Sequence, residues 1–130
     1  MEKLTLGVEA MDETHAAFLQ LLTGVKNAEA EAFLEGFSAL IAHTEQHFAT
    51  EEAWMRNAAY YGYAEHREEH ENLLNEMRYF FDKARRLPAF GHSYINDYAY
   101  DKFRRHIINI DSQLAMFLKT EGIAEEVPHA

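Results

Sequence analysis

Apolar residues recur at helical spacing along almost the whole chain, and no stretch alternates with period two long enough to suggest a strand. Four stripes can be traced. The first reads His15, Phe18, Leu19, Leu22, Val25, with Asp12 ahead of it as an N-cap. The second reads Phe33, Phe37, Leu40, Ile41, Thr44, His47, Phe48, Glu51, Met55 and ends near Asn57. The third reads His66, His70, Leu73, Leu74, Met77, Phe81, Ala84, and Pro88 closes it. The fourth follows Gly91 and Ser93 and reads Ile95, Tyr98, Ala99, Phe103, His106, Ile107, Ile110, Leu114, Phe117. Four amphipathic helices on short connections predict an all-α, up-down-up-down four-helix bundle. The expectation is one domain over 1–130: an N-terminal arm (1–11), the bundle (about 12–118) and a short C-terminal tail (about 119–130).

Composition narrows the function. The chain has 130 residues, a formal charge of −10, eight histidines and no cysteine. Without cysteine there are no disulfides, thiolate metal sites or thiol nucleophiles. An acidic chain without a basic stripe is not expected to bind nucleic acid. No apolar run approaches the roughly 18 residues of a membrane span, so membrane insertion is not expected. The opening residues are too few and too polar for a signal peptide, so a cytoplasmic location is expected. The acidic surface is expected to keep the bundle soluble and monomeric.

Six residues in the stripes do not belong in hydrocarbon: His15, His47, Glu51, His66, His70 and His106. Burying such groups unpaired costs several kcal/mol, roughly. One histidine on an inward face is ordinarily a core residue bonded to a neighbour. Six such residues, spread over all four stripes, do not align inward independently. His47 and Glu51 stand four apart, as do His66 and His70, so each pair presents two ligand atoms on one helix face. Two positions stay open on spacing alone. His43, His47 and Glu51 share one face. Asp111 lies five residues beyond His106, which in a regular helix turns it about 140° away. Asp111 joins the group only if a π-type turn widens the helix there. Imidazole with carboxylate suits iron, zinc, copper or nickel. Seven candidates exceed the three or four of a zinc site and fit a two-metal centre.

In chain order, Asp12-Glu-Thr-His15, His47-Phe-Ala-Thr-Glu51-Glu52 with Met55, His66-Arg-Glu-Glu-His70 and His106-Ile-Ile-Asn-Ile-Asp111 resemble the D-x-x-H, H-F-x-x-E-E, H-x-x-x-H and H-I-x-x-x-D elements of the hemerythrin family, specifically its single-domain bacterial members. The likeness runs from about Leu6 to Leu118. It implies two non-heme iron ions bridged by Glu51, Asp111 and an oxo or hydroxo group. The terminal ligands it implies are His15, His47, His66, His70 and His106. His43, His92 and His129 are then left without a ligand role. It also implies that His66, His70 and His106 saturate one iron, while His15 and His47 leave one position on the other. Phe48, Phe103 and Ile107 flank ligands and are expected around that position, where they also serve as ordinary core. The sequence departs from the family pattern in four places. It has no early Trp, it has Lys102 four residues before the last histidine ligand, and it has Thr14 before the first. The turn after the second stripe has Tyr60, Tyr61 and Tyr63 and no proline.

The implied function is reversible dioxygen binding as an oxygen carrier, store or supplier, with an oxygen-consuming enzyme as recipient. The carboxylate-rich di-iron enzymes use Glu-x-x-His motifs. Here the residues three before the five histidines are Asp12, Thr44, Tyr63, Arg67 and Phe103. Two carboxylates support high-valent iron poorly, so binding is expected and enzyme activity is not. The alternative is an oxygen or redox sensor, or an iron-handling or di-iron repair protein of the same fold. Sensory relatives usually carry an output domain, and none is expected here.

Overall fold

A computed structural model describes residues 4–128; His129 and the outermost residues of the arm and tail lie outside the described residues. Four helices account for the bundle. They are α1 (Glu9–Lys26), α2 (Ala30–Asn57), α3 (Tyr63–Arg86) and α4 (residues 88–120). The last is one run of five segments: Pro88–Ser93, Tyr94–Tyr98, Ala99–His106, Ile107–Asp111 and Ser112–Thr120. The second and fourth of these are π-helical. No strand occurs among the described residues. Consecutive helices pack on one another, and α1 also meets the first π segment of α4.

Two helix starts differ from the sequence expectation. α1 begins at Glu9, behind Val8, so Asp12 lies inside the first turn and residues 9–11 are helical rather than arm. The Asp12 carboxylate instead accepts the backbone N–H groups of Leu6 (2.7 Å) and Gly7 (3.1 Å), folding the arm back onto the helix. Gly7 makes this turn at φ +81°, a conformation that side chains disfavour. The arm is held further by Lys119, whose Nζ donates to the Leu6 carbonyl at 2.6 Å. α4 begins at Pro88, not after Ser93. Proline suits a first helical turn, where its missing N–H has no partner to lose. Gly91 is therefore inside the helix, and its role is proximity. A Cβ there would collide with the Ala84 methyl and press on the Phe33 ring.

The core is divided along the bundle axis. One apolar cluster contains Phe18, Leu22, Phe37, Leu40, Phe103 and Ile107 among others. A second contains Val8, Met11, Trp54, Met55, Leu114 and Leu118. Between them α1 carries His15, α2 carries His47 and Glu51, and α4 carries Asp111, all buried. The interior thus has an apolar layer, a polar layer and a second apolar layer.

Candidate metal centre

Each helix supplies this polar layer at the spacing its own backbone allows. In α2, four residues bring His47 and Glu51 to one face, with His47 Nε2 3.3 Å from Glu51 Oε2. In α3, the same spacing brings in His66 and His70, whose Nε2 atoms lie 2.7 and 3.2 Å from Glu51 Oε1. In α4, the π segment Ile107–Asp111 widens the turn, so the five-residue step returns Asp111 to the face of His106. His106 Nε2 lies 3.0 Å from Asp111 Oδ1. His15 of α1 closes the ring, with Nε2 2.9 Å from Asp111 Oδ2. All seven residues expected from the sequence meet here, each no more than 3% exposed.

Their donor atoms fall into two groups, each with its atoms within 4.8 Å of one another. One is Glu51, His66, His70, His106 and Asp111, and the other is His15, His47, Glu51 and Asp111. Both carboxylates belong to both groups, with three imidazoles on one side and two on the other.

The electrostatics describe a centre built for positive charge. Burial pushes His47 down to about 4, against the pull of Glu51 and Asp111. Burial also opposes charge on His66 and His106, but their contacts with Asp111 and Glu51 outweigh it. His66 is held up at about 9 and His106 at about 10. Burial and the charge of Asp111 push the Glu51 carboxyl up, yet His47, His66 and His70 hold it at about 2. Asp111 is held well below the usual carboxylate range by His106, His15 and His66, again against burial. In the chain alone the imidazoles therefore favour the ionised form of both carboxylates, which in turn favour the protonated form of His66 and His106. A metal ion entering such a site displaces those protons.

The residues present fit metal ions. Both oxygens of Glu51 and of Asp111, and the Nε2 atoms of all five histidines, are buried and meet only one another, with no well-formed hydrogen bond. Buried polar atoms are normally satisfied, and so many orphans converging on one layer call for a cation. The donors are nitrogen and oxygen only, the set that suits iron and zinc rather than thiophilic ions.

The surroundings add residues to which sequence reasoning gave no role. Glu52 Oε2 lies 2.9 Å from His70 Nδ1, and Glu69 Oε1 stands 3.9 Å from His106 Nδ1. Contact with His106 holds the Glu69 carboxyl below its ordinary range. A carboxylate behind a ligating imidazole fixes the ring and strengthens it as a donor. The signal for Glu52 was its place beside Glu51, one helical step round towards α3. Phe48 stacks on the His70 ring at 3.7 Å and leans on His47 and His106. Phe103 sets its edge against His15 and stacks on Phe18, which the sequence marks only as plain core. Ile107 is fully buried. His43 stays outside both donor groups and reaches Thr14 of α1 instead. His92 stacks on Phe33, away from the centre. Lys102 pairs with Glu76 of α3 at 2.8 Å.

Fold and centre together define a helical-bundle, cation-binding protein with a purely nitrogen and oxygen donor set. The chain belongs to the hemerythrin family: residues 6–118 match the family described as hemerythrin HHE cation binding domain. It is similar to a bacteriohemerythrin of Ralstonia nicotianae, at 36% identity over 93% of this chain and 88% of the relative. It is also similar to a hemerythrin of Sipunculus nudus, at 31% identity over 83% of this chain and 82% of the relative. No solved structure gives a significant match. Membership implies a non-heme iron domain of the oxygen-binding type.

Proposed function

We propose that this protein binds dioxygen reversibly at two non-heme irons and acts as an oxygen carrier, store or supplier. The ligands would be His66, His70 and His106 on one side and His15 and His47 on the other, with Glu51 and Asp111 shared. The observation that carries this reading is the unequal division of imidazoles between two donor groups with common carboxylates. Two irons, when bound, would supply the electrons and the single unfilled position that a small ligand needs. The protein's own contribution is to hold the donors and exclude water. Glu51 and Asp111 present both oxygens to the layer, and neither oxygen has another partner. Phe48, Phe103 and Ile107 wall it with apolar surface, where a charged product is poorly solvated and release of neutral dioxygen is favoured. With two carboxylates in the centre, binding is favoured over oxygenation.

The test has two parts. Purified protein should contain two irons per chain, and Glu51→Ala or His70→Ala should reduce this well below two, whereas His92→Ala should not. Anaerobic reduction followed by cycles of oxygen and its removal should give absorption bands that form and vanish repeatedly. Continuous release of hydrogen peroxide over many turnovers, with no return of the reduced spectrum, would refute a carrier.

A further inference from the structure

The residues of the centre are almost wholly shielded from solvent, so a ligand needs an opening. Among the described residues, two surface clefts are lined by one of the centre's histidines. One, about 230 Å³, lies between α1 and α2 and is lined by Ala10, Glu13, Thr14, Ala17, His43, Gln46 and His47. The other is lined by Tyr60, Tyr61, Ala64, His66 and Ile110. They lead to different halves. The second ends on His66, in the three-histidine group, whose ion has no position to spare on the reading above. The first ends on His47, in the two-histidine group.

Across the first cleft stands His43. Its Nε2 is 3.3 Å from the Thr14 carbonyl and 3.5 Å from the Thr14 hydroxyl, contacts at the long limit of hydrogen bonding. Its ring lies one helical turn before His47 and nearly parallel to it, 6.5 Å away. His43 is only partly buried, so a change of rotamer moves it towards solvent without unpacking the bundle. We infer that the α1–α2 cleft is the access route for small ligands to the two-histidine half, and that His43 is its gate. The inference rests on the proposed dioxygen centre and names the path by which that centre is reached.

A gate alters the speed of passage in both directions and leaves the equilibrium alone. Azide binding to the oxidised, iron-loaded protein reads this out through the association rate, the dissociation rate and Kd. His43→Ala should raise both rates severalfold together, with Kd and two irons per chain unchanged. Ala17→Phe should fill the cleft and lower both rates together. Ala64→Phe, in the other cleft, should change neither. The inference is overturned if both α1–α2 variants keep wild-type rates with two irons bound, or if Ala64→Phe slows azide instead. It is also overturned if Kd moves while the association rate does not. Loss of iron from His43→Ala is a distinct failure, since it would move the ligand from His47 to His43 and remove the premise.

Discussion

Single side chains divide here into those that hold the centre and those that hold its holders. Glu52 is of the second kind, because it faces the outer nitrogen of His70 across 2.9 Å. Glu52→Ala should weaken iron retention by about 10- to 100-fold against a competing chelator while the fold persists. Glu52→Gln, which keeps a hydrogen-bonding oxygen, should recover part of the loss. The comparison is made by timed iron release. Tyr60 offers a test of burial at the opposite pH extreme. Burial, aided by Tyr61, raises its phenol from 10.0 to about 12. The folded state thus favours the neutral phenol. That contribution to stability is complete below pH 10 and is lost as pH rises from 10 through about 12. Tyr60→Phe should therefore move the alkaline unfolding midpoint upward, followed by circular dichroism. At this scale most of the centre was legible in the sequence, since imidazoles and a carboxylate at core positions advertise themselves. His43 and His47 were not separable by spacing, because residues one turn apart share a face. The family resemblance separates them, and in the structure the packing of α1, which takes His43 to Thr14, does the same.

Helices show where spacing rules hold and where they bend. Three of the four put their ligands where a regular helix would. α4 does so only through its widened turn, so spacing offered Asp111 only as a condition and the family resemblance had to supply it. The first π segment, Tyr94–Tyr98, left no comparable sign, since no misplaced polar residue needed it. Helix starts were also poorly legible. Asp12 has the chemistry of a cap but spends it on Leu6 and Gly7, and Gly91 has the chemistry of a break but serves a close helix contact. The widened turn makes a sharp prediction. A four-residue step in a regular helix leaves its ends about 40° apart, which is good enough for His47 and Glu51. Deleting the exposed Ile108 should let the segment relax to regular helix with Asp111 still facing the centre. Two irons per chain should be retained. Deleting Arg105, also exposed but in the regular Ala99–His106 segment, should rotate His106 about 100° relative to Phe103 and abolish iron binding. Iron per chain after purification distinguishes the two.

For the whole molecule, the layered interior ties stability to loading. Ions that bind only the folded state stabilise it by mass action, by about 3 kcal/mol at a hundredfold excess over Kd. Iron-loaded protein should thus unfold at a higher temperature than chelator-stripped protein, measured by calorimetry. The gap should shrink in Glu51→Ala. The bundle itself was readable from four stripes and short connections. The sandwiching of the centre between two apolar clusters was not, because it depends on which helix faces meet. That arrangement has a consequence for the order of assembly. Asp111, shared by both donor groups, and Leu114 and Leu118, which seal the far side, all lie in the last helix to be made. A nascent chain ending before α4 lacks His106 as well, and offers four imidazoles with one shared carboxylate and no roof. Metal caught at that stage sits in half a cage, open to water and exchange. Both donor groups are therefore incomplete until α4 has docked.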